Sequence, residues 1–76
     1  MPTFENTRRI IVEVLDVQEA EVLPETSLAN DLGADSLDFI ALLQAFEAEF
    51  NIQIPDADVS KLETVADVIK YIESKI

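Results

Sequence analysis

Leu32-Gly-Ala-Asp-Ser-Leu-Asp-Phe-Ile-Ala-Leu-Leu-Gln-Ala-Phe-Glu-Ala-Glu-Phe50 decides the fold, because it carries a helix start and a complete apolar stripe in one run. Gly33, the only glycine, precedes Asp35 and Ser36 at that start. Asp35 can accept hydrogen bonds from the first free backbone N–H groups, and Asp38 adds negative charge at the positive end of the helix. At about 100° per residue, Phe39, Leu42, Leu43, Phe46 and Phe50 share one stripe. Leu37, Ile40 and Gln44 fall on the other side. The inward face is therefore supplied without Leu37 and Ile40, which remain as apolar residues beside Ser36 and point to a docking surface.

The rest of the chain fits around this helix. Thr3 is a candidate cap for a first helix reaching about Leu15, with Phe4, Ile11, Val14 and Leu15 as its apolar stripe. From Asp16 to Ala34 no helical period persists and Pro24 interrupts; Val17, Val22, Leu28 and Leu32 are the expected anchors of this long connection. Asn51 to Pro55 reads as extended chain, since a residue before proline avoids the helical region. Asp56 is a candidate cap for a short turn carrying Val59 and Leu62. Thr64 and Asp67 form an acidic capping box for a last helix with Val65, Val68, Ile69, Ile72 and Ile76 in phase. The expected architecture is all-α, a small bundle of three main helices plus one short helix, in a single domain over residues 1–76.

Composition excludes several classes of function. With 76 residues, 49% of them apolar, there is room for one modest core. Cysteine and histidine are absent, so neither a thiolate metal site nor a histidine base exists. Asp31, Asp35 and Asp38 lack the regular ligand spacing of an EF-hand, and no metal is expected. Serine is a weak nucleophile without a positioned base, and every lysine lies far from Ser36 in sequence, so catalysis by the chain alone is not expected. There is no run of about 18 apolar residues and no charged-then-apolar leader, so a cytoplasmic protein is expected. Sixteen acids against five bases give a net charge of −11. The bases are Arg8, Arg9, Lys61, Lys70 and Lys75, leaving none between Ile10 and Ser60, a section with twelve acids. Such a field repels nucleic acid and anionic membranes and steers partners with basic patches.

Asp35-Ser36-Leu37, inside Leu32-Gly-Ala-Asp-Ser-Leu-Asp38, resembles the attachment motif of the acyl carrier protein family, and the similarity extends over the whole chain. The resemblance implies that Ser36 carries a 4'-phosphopantetheine arm derived from coenzyme A and attached by a phosphopantetheinyl transferase, with Asp35 and Leu37 flanking it. It implies acyl cargo held on that arm and presented to fatty-acid-synthesis enzymes with basic patches (synthases, reductases, acyltransferases). Leu37, Ile40 and Gln44 would make short-range contacts, and Asp35, Asp38, Glu47 and Glu49 would orient the partner. Phe39, Leu42, Phe46, Phe50, Leu62 and Ile72 would form the core that shelters the acyl chain. The chain is expected to be a monomer. It differs from fatty-acid carriers at Ala41 and Ala48, where acids are usual, and at Phe39 and Phe46, where smaller or aliphatic side chains are common. Those differences leave open a specialised carrier for polyketide or other lipid pathways; a non-covalent acidic interaction module is the remaining alternative.

Overall fold

The computed structural model describes residues 2–76. Four α-helices follow in order: α1 (Pro2–Leu15), α2 (Ser36–Phe50), α3 (Asp56–Val59) and α4 (Val65–Lys75), with a short 3-10 turn at Glu19–Glu21. This is the expected bundle of three main helices and one short one. α1 packs against both α2 and α4. Among the described residues no helix is long and apolar enough to cross a membrane.

Two expected caps are corrected. α1 begins at Pro2, so Thr3 lies inside the helix and is buried. Proline suits a first helical position because its fixed φ is already helical and its missing N–H is not needed there. Asp56 is likewise the first residue of α3 and not its cap, since Pro55 occupies the cap position in extended conformation, with no side-chain cap bond. The inward face of α1 is also shifted. Thr3, Thr7, Ile10 and Ile11 are buried, whereas Phe4, Val14 and Leu15 are only partly so. Thr7 is fully buried with its hydroxyl unpartnered, at a cost of about 1–3 kcal/mol.

The core is drawn from every helix but α3. Ile10 and Ile11 meet Leu42 and Phe46 of α2 and Val65, Val68 and Ile72 of α4 in one buried cluster. Of the expected anchors in the long connection, Val22 and Leu28 are buried, and Val17 and Leu32 half-buried. The connection is also stitched to the start of α4: Leu28 N–H donates to the Glu63 carbonyl, Val65 N–H to that of Thr26, and Ala66 N–H to that of Pro24, at 3.0, 3.0 and 2.8 Å. The expected capping box of α4 is formed, Thr64 accepting from Asp67 N–H while Asp67 accepts from Thr64 N–H. Ile69 is half-buried, and Ile76 lies beyond the helix and is exposed.

Two helix ends add to the electrostatic cost of the acidic surface. Neither α1 nor α2 has a basic residue in its last turn, so Glu13, Glu47 and Glu49 stand near the negative ends of their helix dipoles. Arg9 offsets part of this by reaching both Glu13 (3.8 Å) and Glu49 (3.2 Å). Asp16 and Asn51 turn the chain out of α1 and α2 in the left-handed region, at φ 56° and 54°. Asn tolerates this conformation well; Asp less so.

α3 buries none of its residues. It is held by buried Ile54 and Leu62 on either side and by a 2.7 Å bond from the Tyr71 hydroxyl to Asp58. Partial burial, and then the bond to Asp58, push the Tyr71 phenol up to about 12; the same bond, with Lys61 nearby, holds Asp58 below its ordinary value. Tyr71 favours folding while protonated in both states, so its contribution is full below pH 10.0 and is lost as pH rises towards about 12. That of Asp58 is present above its usual 3.8 and is lost as pH falls below it. Tyr71 is the only tyrosine and tryptophan is absent, so phenolate absorbance reports this contact directly. The midpoint is expected near 12 in the native protein and part of the way back towards 10.0 in Asp58→Asn. A native midpoint at 10.0 would refute the contact.

Candidate functional site

The start of α2 is closed by two side chains acting on each other's backbone. Asp38 N–H donates to Asp35 Oδ1 at 2.9 Å, and Asp35 N–H donates to Asp38 Oδ2 at 3.2 Å. Gly33, at φ +72°, turns the chain into this end, and Ala34 N–H is tied to the Leu28 carbonyl. A Cβ at position 33 would meet nothing within 4 Å, so glycine is required here by backbone conformation and not by space. Ser36 is the first helical residue and is exposed. The reciprocal aspartate bonds satisfy the helix end without its hydroxyl, which is left accessible.

Ser36 lines an open groove of about 600 Å³ with Phe39, Ile40 and Leu43 of α2 and Val59 of α3. Asp35 and Asp56 are its charged members. The volume lies in the ordinary range for small-molecule sites, and the lining is mainly apolar. The arrangement offers an exposed hydroxyl beside a hydrophobic trough. The two carboxylates are the titratable groups lining it, and the described residues contain no group of three or more side chains able to hold a metal ion.

The sequence-predicted residues are distributed unevenly around it. Asp35, Ser36, Phe39 and Ile40 share the groove, while Leu37 projects beside them at 76% exposure. Asp38 is half-buried in the capping box. Gln44 and Glu47 lie in a different groove, towards the C-terminal end of α2, roughly 12–17 Å along the axis from Ser36 at 1.5 Å per residue. Glu47 is half-buried and accepts the Ile54 N–H at 2.8 Å, so it fastens the chain leaving α2. Leu42, Phe46 and Ile72 are fully buried, Phe50 is half-buried against the same core, and Leu62 is buried where it lines a second groove. The sequence reading missed Asp56 and Val59 as groove residues; their only local signal is a short helical turn after Pro55.

A profile of the family described as "Phosphopantetheine attachment site" matches residues 7–72. The acyl carrier protein of Helicobacter pylori is 49% identical over 73 residues, covering 96% of this chain and 94% of that protein. The acyl carrier protein of Wolinella succinogenes is 46% identical over 74 residues, covering 97% of both. The chain belongs to the acyl carrier protein family: it is a carrier that takes a covalent 4'-phosphopantetheine group and has no catalytic activity of its own.

Proposed function

We propose that Ser36 is the attachment point and that the protein, as one carrier domain over residues 1–76, presents acyl intermediates to fatty-acid-synthesis enzymes. The observation that carries this reading is the Ser36 hydroxyl, exposed at the start of α2 and unused by the capping box beside it. When bound, the arm supplies a terminal thiol, the reactive group this cysteine-free chain lacks. The chain's own residues hold and identify the site. Asp35 and Asp38 fix the helix end and so the backbone that carries Ser36. Leu37 and Ile40, at 76% and 52% exposure, offer an apolar grip beside it. Acids without intervening bases draw a basic partner towards it, a pull that sets encounter rate more than affinity.

The relatives are named only as acyl carrier proteins, and the pathway is our inference. Asp35-Ser36-Leu37 favours acyl cargo, while Ala41 and Ala48 thin the acidic face of α2 and weaken electrostatic recruitment along it. The carrier is expected to be a cytoplasmic monomer. Incubation of the apo protein with coenzyme A and a promiscuous phosphopantetheinyl transferase is expected to add the mass of one arm, mapped to the peptide containing Ser36. Transfer of an acyl group to the loaded protein by fatty-acid-synthesis enzymes then tests the pathway. An unchanged mass would refute attachment; loading without acceptance by those enzymes would refute the pathway alone.

A further inference from the structure

The outward face of α2 carries no charge. Leu37, Ile40, Ala41, Gln44 and Ala48 are all exposed and recur at helical spacing, within roughly 100° of arc and over about 17 Å of axis. In a chain of net charge −11, that is a neutral strip on the helix that bears Ser36. α2 has three acids, and each is engaged by the chain itself. Asp38 accepts the Asp35 N–H at 3.2 Å, Glu47 accepts the Ile54 N–H at 2.8 Å, and Glu49 pairs with Arg9 at 3.2 Å. They bracket the strip, Glu47 on one side and Asp38 and Glu49 on the other. The strip runs into two grooves: Ile40 lines that of Ser36, and Gln44 and Ala48 line the one towards Ile52 and Pro55. Asp35 and Asp56, at the Ser36 end, are exposed and join no ion pair among the described residues.

We propose that a partner seats on α2 through an uncharged apolar ridge, with its cations confined to the end nearest Ser36. This rests on the reading that Ser36 carries the arm, and it names the chemistry of the surface that visits it. Net charge acts at a distance and brings a basic protein close; on contact, the strip meets individual side chains with water excluded. A lysine or arginine laid across it would lose water with no free carboxylate to pair with, whereas an apolar side chain covering Leu37 and Ile40 gains by burial. A neutral apolar centre with charge at the margin is also the usual build of a protein interface. Ala41 and Ala48 are then specificity-determining positions. Their small side chains let the ridge approach the helix, and a charge of either sign there works against it.

The measurement is the KM of the same organism's phosphopantetheinyl transferase for the apo protein, with loading at Ser36 verified by mass. The native chain is compared with Ala41→Glu, Ala41→Lys, Ala48→Glu and Ala48→Lys. Both positions are exposed and both new residues are good helix formers, so the fold is retained, as circular dichroism would check. Ala20→Glu and Ala20→Lys, exposed on the 3-10 turn, make the same changes of net charge outside α2. At positions 41 and 48 both signs are expected to raise KM about tenfold over the same charge at position 20, with kcat little changed. A KM lowered by glutamate and raised by lysine would mean a basic complement along α2 and would overturn the neutral ridge. A KM indifferent to either charge would mean that the strip is not touched, and would overturn it too. Both of those results leave attachment intact; no loading of the native chain would overturn both readings.

Discussion

Ser36→Ala is expected to abolish arm attachment completely and yet to leave the melting temperature unchanged or slightly higher. Most substitutions at a helix start cost stability because they remove a cap, typically about 1 kcal/mol. Here the capping position belongs to Asp35 and its reciprocal partner is Asp38, so the serine hydroxyl is not part of the box. Ser36 is already inside the helix, where alanine is the better helix former by a few tenths of a kcal/mol. Other hydroxyls are poor substitutes for it. Ser27 accepts the Asn30 N–H and Ser74 donates to the Tyr71 carbonyl at 2.6 Å, so both are engaged. Ser60 is exposed but follows the four-residue α3 and has no flanking Asp and Leu. Mass spectrometry after transferase treatment, paired with thermal unfolding by circular dichroism, checks both halves. Arm incorporation into Ser36→Ala would remove Ser36 from its assigned role; a large fall in melting temperature would show that the hydroxyl has structural work after all.

The same separation of local from distant causes explains what the sequence revealed. The Asp35–Asp38 and Thr64–Asp67 boxes, the buried stripes of α2 and α4 and the exposure of Leu37 and Ile40 all follow from residues within a few turns of each other. So does the accessible position of Ser36. The start of α1 went wrong because two local signals competed there, a threonine that can cap and a proline that fits the first helical position, and the second prevailed. The inward turn of Thr3 and Thr7 was not legible either, since threonine's methyl group packs like part of a valine while its hydroxyl reads as surface. The bonds from residues 24–28 to residues 63–66 join segments far apart in sequence and leave no periodic trace. For the same reason Asp56 and Val59 were missed: the second wall of the groove is set by how α3 folds back, with Tyr71 holding Asp58, and not by any pattern within α3 itself.

Phe46→Ala is expected to do the reverse of Ser36→Ala, sparing the attachment motif and removing the fold. Phe46 is 1% exposed and heads the largest fully buried side chains. Truncating such a ring costs about 3–5 kcal/mol through lost burial and the cavity left behind. A chain of 76 residues has, at roughly 0.05–0.15 kcal/mol per residue, about 4–11 kcal/mol in total. This one should sit near the lower figure, because a net charge of −11 is compressed into a body of 27 × 26 × 19 Å, and because α1 and α2 end without a cation. At about 0.01 M salt the screening length, roughly 30 Å, exceeds the molecule, so every acid repels every other; at about 1 M it shrinks to roughly 3 Å. Phe46→Ala is therefore expected to lose most of its helical circular dichroism in dilute buffer and to regain much of it in molar sodium chloride. The transferase should then load the variant only where the salt has restored helix α2. A drop in melting temperature of only a few degrees would mean that the core closes over the missing ring. A folded fraction indifferent to salt would mean that the acids are too well dispersed in solvent for their repulsion to govern stability.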